Sequence, residues 1–201
     1  MSRLFRLFVI IAVVFNSFIS AVPPARAASL PAEINKQFTP ISIDAGGVSV
    51  LRVTIFNPNT FPLTNASYTD NLIGVQPGLF IANPAINANT CGGTLTAVPG
   101  ATSFSLSGGS VPAQVGATPG QCYVEINVSS ITPGNLINTI PAGGLSAQGI
   151  DGSTPVSISN TTPASATITV IAVSPPSLTK SFAPNTIFCW ANQHAHHTHQ
   201  Q

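Results

Sequence analysis

Charge is what this sequence has least of. Of its 201 residues only 5% are Asp, Glu, Lys or Arg, against about a quarter in an average soluble protein. No basic patch is available for nucleic acid or an anionic lipid surface. Histidine is absent between residues 28 and 187, so a Ser-His-Asp or Cys-His catalytic arrangement has no base there. The five acids, Glu33, Asp44, Asp70, Glu125 and Asp151, stand apart in sequence. No DxDxDG-type loop gathers oxygen ligands around an ion, and the nearest calcium candidates, Asp44, Asp70 and Asp151, have turn capping as their ordinary role. Helical periodicity is missing beyond the N-terminal leader. These absences point away from an enzyme, from a cofactor or resident metal, and from a nucleic-acid partner.

What is present is the material of short strands and tight turns: 16 Gly, 18 Pro and 44% hydrophobic residues, with abundant Ser, Thr and Asn. In "GGVSVLRVTIFNPN" Leu51, Val53 and Ile55 alternate with Arg52 and Thr54 between two turn signals, the pattern of a half-buried strand. In "GQCYVEINVSS" Cys122, Val124, Ile126 and Val128 share one face, and Tyr123, Glu125 and Asn127 the other. "CGGTLTAV", "TSFSLS" and "SATITVIAVS" add further strands. Seven or eight strands at this spacing predict an all-β fold, an antiparallel immunoglobulin-like β-sandwich over residues 28–174. A barrel is the alternative.

The leader "MSRLFRLFVIIAVVFNSFISAVPPARAAS" carries Arg3 and Arg6, an apolar run, and Ala25-Arg26-Ala27. That order predicts a signal peptide, residues 1–27, cut after Ala27, and hence a secreted or cell-surface chain without a membrane span after cleavage. The run falls short of the roughly 20 apolar residues of a spanning helix. Cleavage leaves Lys36, Arg52 and Lys180 as the only Lys or Arg against five acids. Export also favours a disulfide between Cys91 and Cys122 over two buried thiols, with Cys189 left over.

Residues 31–43, "PAEINKQFTPISI", align without a gap on residues 175–187, "PPSLTKSFAPNTI", at an offset of 144. Pro31, Lys36, Phe38, Pro40 and Ile43 recur as Pro175, Lys180, Phe182, Pro184 and Ile187. Self-similarity at a fixed period marks tandem modules, so 175–187 reads as the start of a second repeat. Residues 188–201 lack the Gly-Gly turn and alternating strand that follow in the first copy. They read as a disordered, non-native tail left by a lost reading frame, whose His194, His196, His197 and His199 have no scaffold to hold a metal.

The segments "KQFTP" and "KSFAP", "LRVTIFNPNTFPLTNASYTDNL", "PGLFIANPA", "CGGTLTAVPGATSFSLSGGSVPA", "GQCYVEINV", "GNLINTIPAGGL" and "TTPASATITV" resemble the immunoglobulin-like modules of the domain-of-unknown-function-eleven group of bacterial cell-surface repeats. The resemblance implies tandem modules in long exported proteins that act as stalks or adhesive surfaces, and it implies no reaction. Partners would then be other modules of the array or extracellular surface components. Any affinity of such a module would come from loops at residues 74–84 and 108–120; the rival expectation is a carbohydrate- or calcium-binding module. Sugar platforms need exposed aromatics to stack on, and the module has only Tyr68, Tyr123 and scattered Phe, with no Trp before Trp190.

One sharper expectation concerns Lys36. A strand lysine in a charge-poor core, beside a carboxylate or an Asn, is placed for an intramolecular isopeptide bond of the kind found in some bacterial surface immunoglobulin-like domains. Asp70 or Glu125 would take part. The opposing reading is an exposed lysine that blunts a sheet edge.

Overall fold

The computed structural model describes residues 28–74, 77–183, 186 and, as backbone, 194–198. The predicted signal peptide therefore lies outside the described residues, as do Cys189 and most of the predicted tail. The described secondary structure is all strand, as the alternation requires, and no helix among these residues is long and apolar enough to cross a membrane.

One sheet is antiparallel, in the order β1 (Glu33–Thr39), β3 (Val48–Asn57), β8 (Gly120–Ser129), β5 (Phe80–Asn89). A second runs β11 (Thr154–Ser159), β10 (Ser146–Asp151), β4 (Leu63–Asn71), β7 (Ser103–Val111), β6 (Thr94–Ala97). The two face each other as a sandwich, with β7 packed on β3 and β8. A third, three-stranded sheet runs β2 (Ser42–Asp44), β12 (Ala164–Ile171), β9 (Gly134–Ile140). It links the other two, because β12 packs on β1 and β9 packs on β4. Pro40, which has no N–H for a ladder, separates β1 from β2. The chain thus leaves an antiparallel pairing with β3 and enters a parallel one with β12.

The core follows the period-two pattern. Leu51, Val53 and Ile55 are fully buried on β3, and Cys122, Val124, Ile126 and Val128 on β8. The register sets Val53 opposite Val124 and Ile55 opposite Cys122. The segments expected as recognition loops are strand in part, at residues 80–84 and 108–111, while residues 112–119 run outside the named strands. Phe80–Asn89 is β5, and residues 108–111 close β7. Their pattern is hard to read because β5 pairs with β8 in two pieces, with a shift between Ile81 and Ile86. Pro84 sits in that gap, which an edge strand tolerates.

Beyond the module, β13 (Thr179–Ala183) pairs antiparallel with β14 (His194–Thr198). β13 lies in the expected start of the second repeat, and β14 in the predicted tail, where the sequence shows no strand pattern. Lys180 and Phe182, which repeat the buried Lys36 and Phe38, are both exposed, and the Lys180 ammonium lies 4.9 Å from the Phe182 ring centre.

Candidate functional site

Three polar side chains occupy inward positions where the alternation calls for apolar ones. On β1, Lys36 lies between the inward Ile34 and Phe38; on β4, Asp70 follows Ala66 and Tyr68; on β9, Asn138 lies between Leu136 and Ile140. The three strands belong to three different sheets, and the side chains meet where those sheets converge. The side chains of Lys36 and Asp70 are wholly inaccessible to solvent, and Asn138 is fully buried.

The geometry closes a triangle. Lys36 Nζ donates to Asp70 Oδ2 at 2.6 Å and also to Asn138 Oδ1. Asn138 Nδ2 donates to Asp70 Oδ1 at 2.8 Å and to the Asn71 carbonyl at 2.9 Å. Those two bonds use both amide hydrogens, so the Asn138 oxygen must face the lysine. Burial lowers the Lys36 pKa from its ordinary value, and the charge and hydrogen bond of Asp70 oppose that shift. Desolvation disfavours an ammonium in such a place, and only a close anion offsets it.

Tyr68, two residues before Asp70, has its phenol pKa raised well above the ordinary value, first by burial and then by the Asp70 charge. Its ring stands edge-on to Phe104 at 6.1 Å, and its hydroxyl is buried with no hydrogen-bond partner among the described residues. An unpaired buried hydroxyl costs stability. Tyr68→Phe is therefore expected to raise the melting temperature by roughly 2–4 °C, about 1 kcal/mol in a domain of this size. A melt several degrees lower would show that the hydroxyl does have a partner.

Glu125, the other expected partner of Lys36, lies elsewhere. It occupies the outer face of β8, where it accepts from Arg52 Nη2 at 2.6 Å, Arg52 Nε at 2.8 Å and Asn87 Nδ2 at 2.7 Å. Its register partner is Arg52, whose guanidinium also covers the Tyr123 ring at 4.2 Å. Asn138 escapes a reading of the sequence because a polar residue in "LINTI" looks like a break in the strand. Its shared parity with Leu136 and Ile140 is the available signal.

Cys91 and Cys122 are joined as a disulfide with Cα atoms 4.9 Å apart, both buried. The calcium candidates do not converge. Asp44 ends β2, Asp151 ends β10, and Asp70 is taken up inside by Lys36 and Asn138. No three His, Cys, Asp or Glu side chains come together among the described residues.

Residues 32–170 match the family described as Domain of unknown function (DUF7933). The chain belongs to this family. The matched span of this DUF7933 module lies within residues 28–174 and contains the whole Lys36–Asp70–Asn138 triangle and the disulfide. No curated protein matches. Among solved structures, the module is similar to the seventh ScaB type I cohesin from Pseudobacteroides cellulosolvens, at 17% identity over 71% of this chain and 94% of that one, TM-score 0.43. It is also similar to the major pilin SpaD from Corynebacterium diphtheriae, at 14% identity over 68% of this chain and 35% of that one, TM-score 0.44. A third is BcpA, the major pilin subunit of Bacillus cereus, at 10% identity over 74% and 42%, TM-score 0.38.

Proposed function

We propose that this chain is an exported, non-enzymatic structural or adhesive module that extends or presents a surface outside the cell. It would be one unit of a tandem array of the kind the domain-of-unknown-function-eleven group forms. The observation that carries this reading is the placement of the chemistry. The Lys36–Asp70–Asn138 cluster is sealed from solvent, so no external substrate reaches it, and its groups act on the module itself. Export is supported by the leader pattern and the Cys91–Cys122 pair, and the array by the recurrence of Lys36, Phe38 and Pro40 at an offset of 144.

The rival, a carbohydrate- or calcium-binding module, has the outer face of β3 and β8 as its best platform, a shallow groove lined by Gln37, Thr39, Val50, Arg52, Asn87 and Glu125. Yet the Tyr123 ring that would stack a sugar is covered by Arg52. The test is a glycan array together with thermal melts of the chain with and without calcium. Blank arrays and superimposable melts are expected. A reproducible sugar hit, or a large stabilisation by calcium, would overturn the structural reading in favour of binding.

A further inference from the structure

We propose that Lys36 and Asn138 become joined by an intramolecular isopeptide bond, with Asp70 as the proton carrier. The triangle presents each group where this condensation needs it. Lys36 Nζ is hydrogen-bonded to the oxygen of the Asn138 carboxamide, so the amine lies beside the carbonyl it attacks. The leaving nitrogen, Asn138 Nδ2, already donates to Asp70 Oδ1, and the attacking nitrogen to Asp70 Oδ2. One carboxylate therefore spans both nitrogens and carries a proton from one to the other.

The steps balance without a co-reactant. The Lys36 ammonium gives one proton to Asp70, leaving a neutral amine and a neutral acid. The amine lone pair attacks Asn138 Cγ, and the carbonyl π pair moves onto Oδ1. Asp70 delivers its proton to Nδ2 and takes a second proton from Nζ. The oxyanion then collapses, the Cγ–Nδ2 bond breaks, and ammonia leaves. The product is a neutral secondary amide beside a protonated Asp70, with no net charge gained or lost. A buried ion pair, costly to keep out of water, has been exchanged for neutral hydrogen-bonding groups. Exclusion of water keeps hydrolysis from competing at the same carbonyl, and strands from three sheets hold the reactants in contact, which substitutes for concentration.

Asp70 is the weaker candidate for the acyl partner. A carboxylate sharing a lysine's proton is a poor electrophile, and its two oxygens are engaged with the two nitrogens between which protons must move. This inference does not rest on the surface role above, since neither a sugar nor calcium would alter the covalent mass.

Intact-mass measurement on the full chain, denatured and with cysteines reduced, decides the matter together with a peptic digest. The expected mass is one ammonia below that of the recovered sequence, with a single branched peptide joining Lys36 to Asn138. The Lys36→Met and Asn138→Ala variants should each show the full mass of their own sequence. An unchanged wild-type mass would overturn the proposal. So would the loss of water with a branch at Asp70, or an ammonia loss that persists in Asn138→Ala.

Discussion

Asp70→Ala is expected to destabilise the module more than any other single substitution in it, lowering the melting temperature by at least about 10 °C. The substitution leaves the Lys36 ammonium in a core position with only the Asn138 oxygen and no anion. Removing one partner of a buried pair typically costs about 3–5 kcal/mol, because the surviving charge keeps its desolvation penalty. The same substitution removes the proton carrier. The tie between residues 102 apart is then never made, and a loop of that size is worth about 4.7 kcal/mol in the chain-entropy model. Together these losses rival the whole stability of an ordinary domain, about 5–15 kcal/mol, so a poor yield of folded protein is part of the expected result. The double variant Lys36→Met/Asp70→Ala separates the two costs. It removes the stranded charge but not the missing tie, and it should melt above Asp70→Ala and below the wild type. If Asp70→Ala melts with the wild type, the triangle contributes nothing to stability.

The period-two rule carries the fold far, because the strands of the module turn one face to a dry core. Leu51, Val53, Ile55 and the Cys122 to Val128 set are legible in the sequence for that reason, and so is Cys122 as an inward residue. The same rule already places Glu125 on the outer face, opposite in parity to Cys122 and Val124. Its bonds to Arg52 and Asn87 lie on that outer face. Lys36 shares its parity with Ile34 and Phe38, and the alternation alone marks it as inward. Parity cannot say which inward polar residues of distant strands meet. Asn138 lies 102 residues from Lys36 and 68 from Asp70, and that encounter depends on the third sheet, β2-β12-β9, which bridges the other two. The third sheet is illegible in turn, because it arises when the first strand breaks at Pro40 and re-pairs in parallel with β12.

Removing the disulfide, as Cys91→Ala/Cys122→Ala, is expected to cost about 3–4 kcal/mol, the chain-entropy value for its separation of 31 residues. That corresponds to a fall of roughly 10 °C in the melting temperature. The fold itself should survive, because the bridge fastens a crossover that hydrogen bonds also hold. Cys91 lies where the chain passes from β5 in one sheet to β6 in the other. There the Thr90 N–H donates to the Tyr123 carbonyl at 2.9 Å, and the Ser110 N–H to the Cys91 carbonyl at 2.8 Å. Cys122 is opposite Ile55 on β3, and Lys36 is opposite Val53, one inward position along the same strand. The two ties thus flank β3 on neighbouring rungs, and the 91–122 loop lies wholly inside the 36–138 loop. Neither can replace the other, since one closes the crossover between facing sheets and the other joins the first strand to the third sheet. Accordingly, the alanine pair should melt early and still be one ammonia light. A melting temperature within about 2 °C of the wild type would show that the crossover needs no covalent fastening. Full sequence mass in the alanine pair, with the ammonia deficit kept in the wild type, would show that the disulfide must form first to bring Lys36 and Asn138 together.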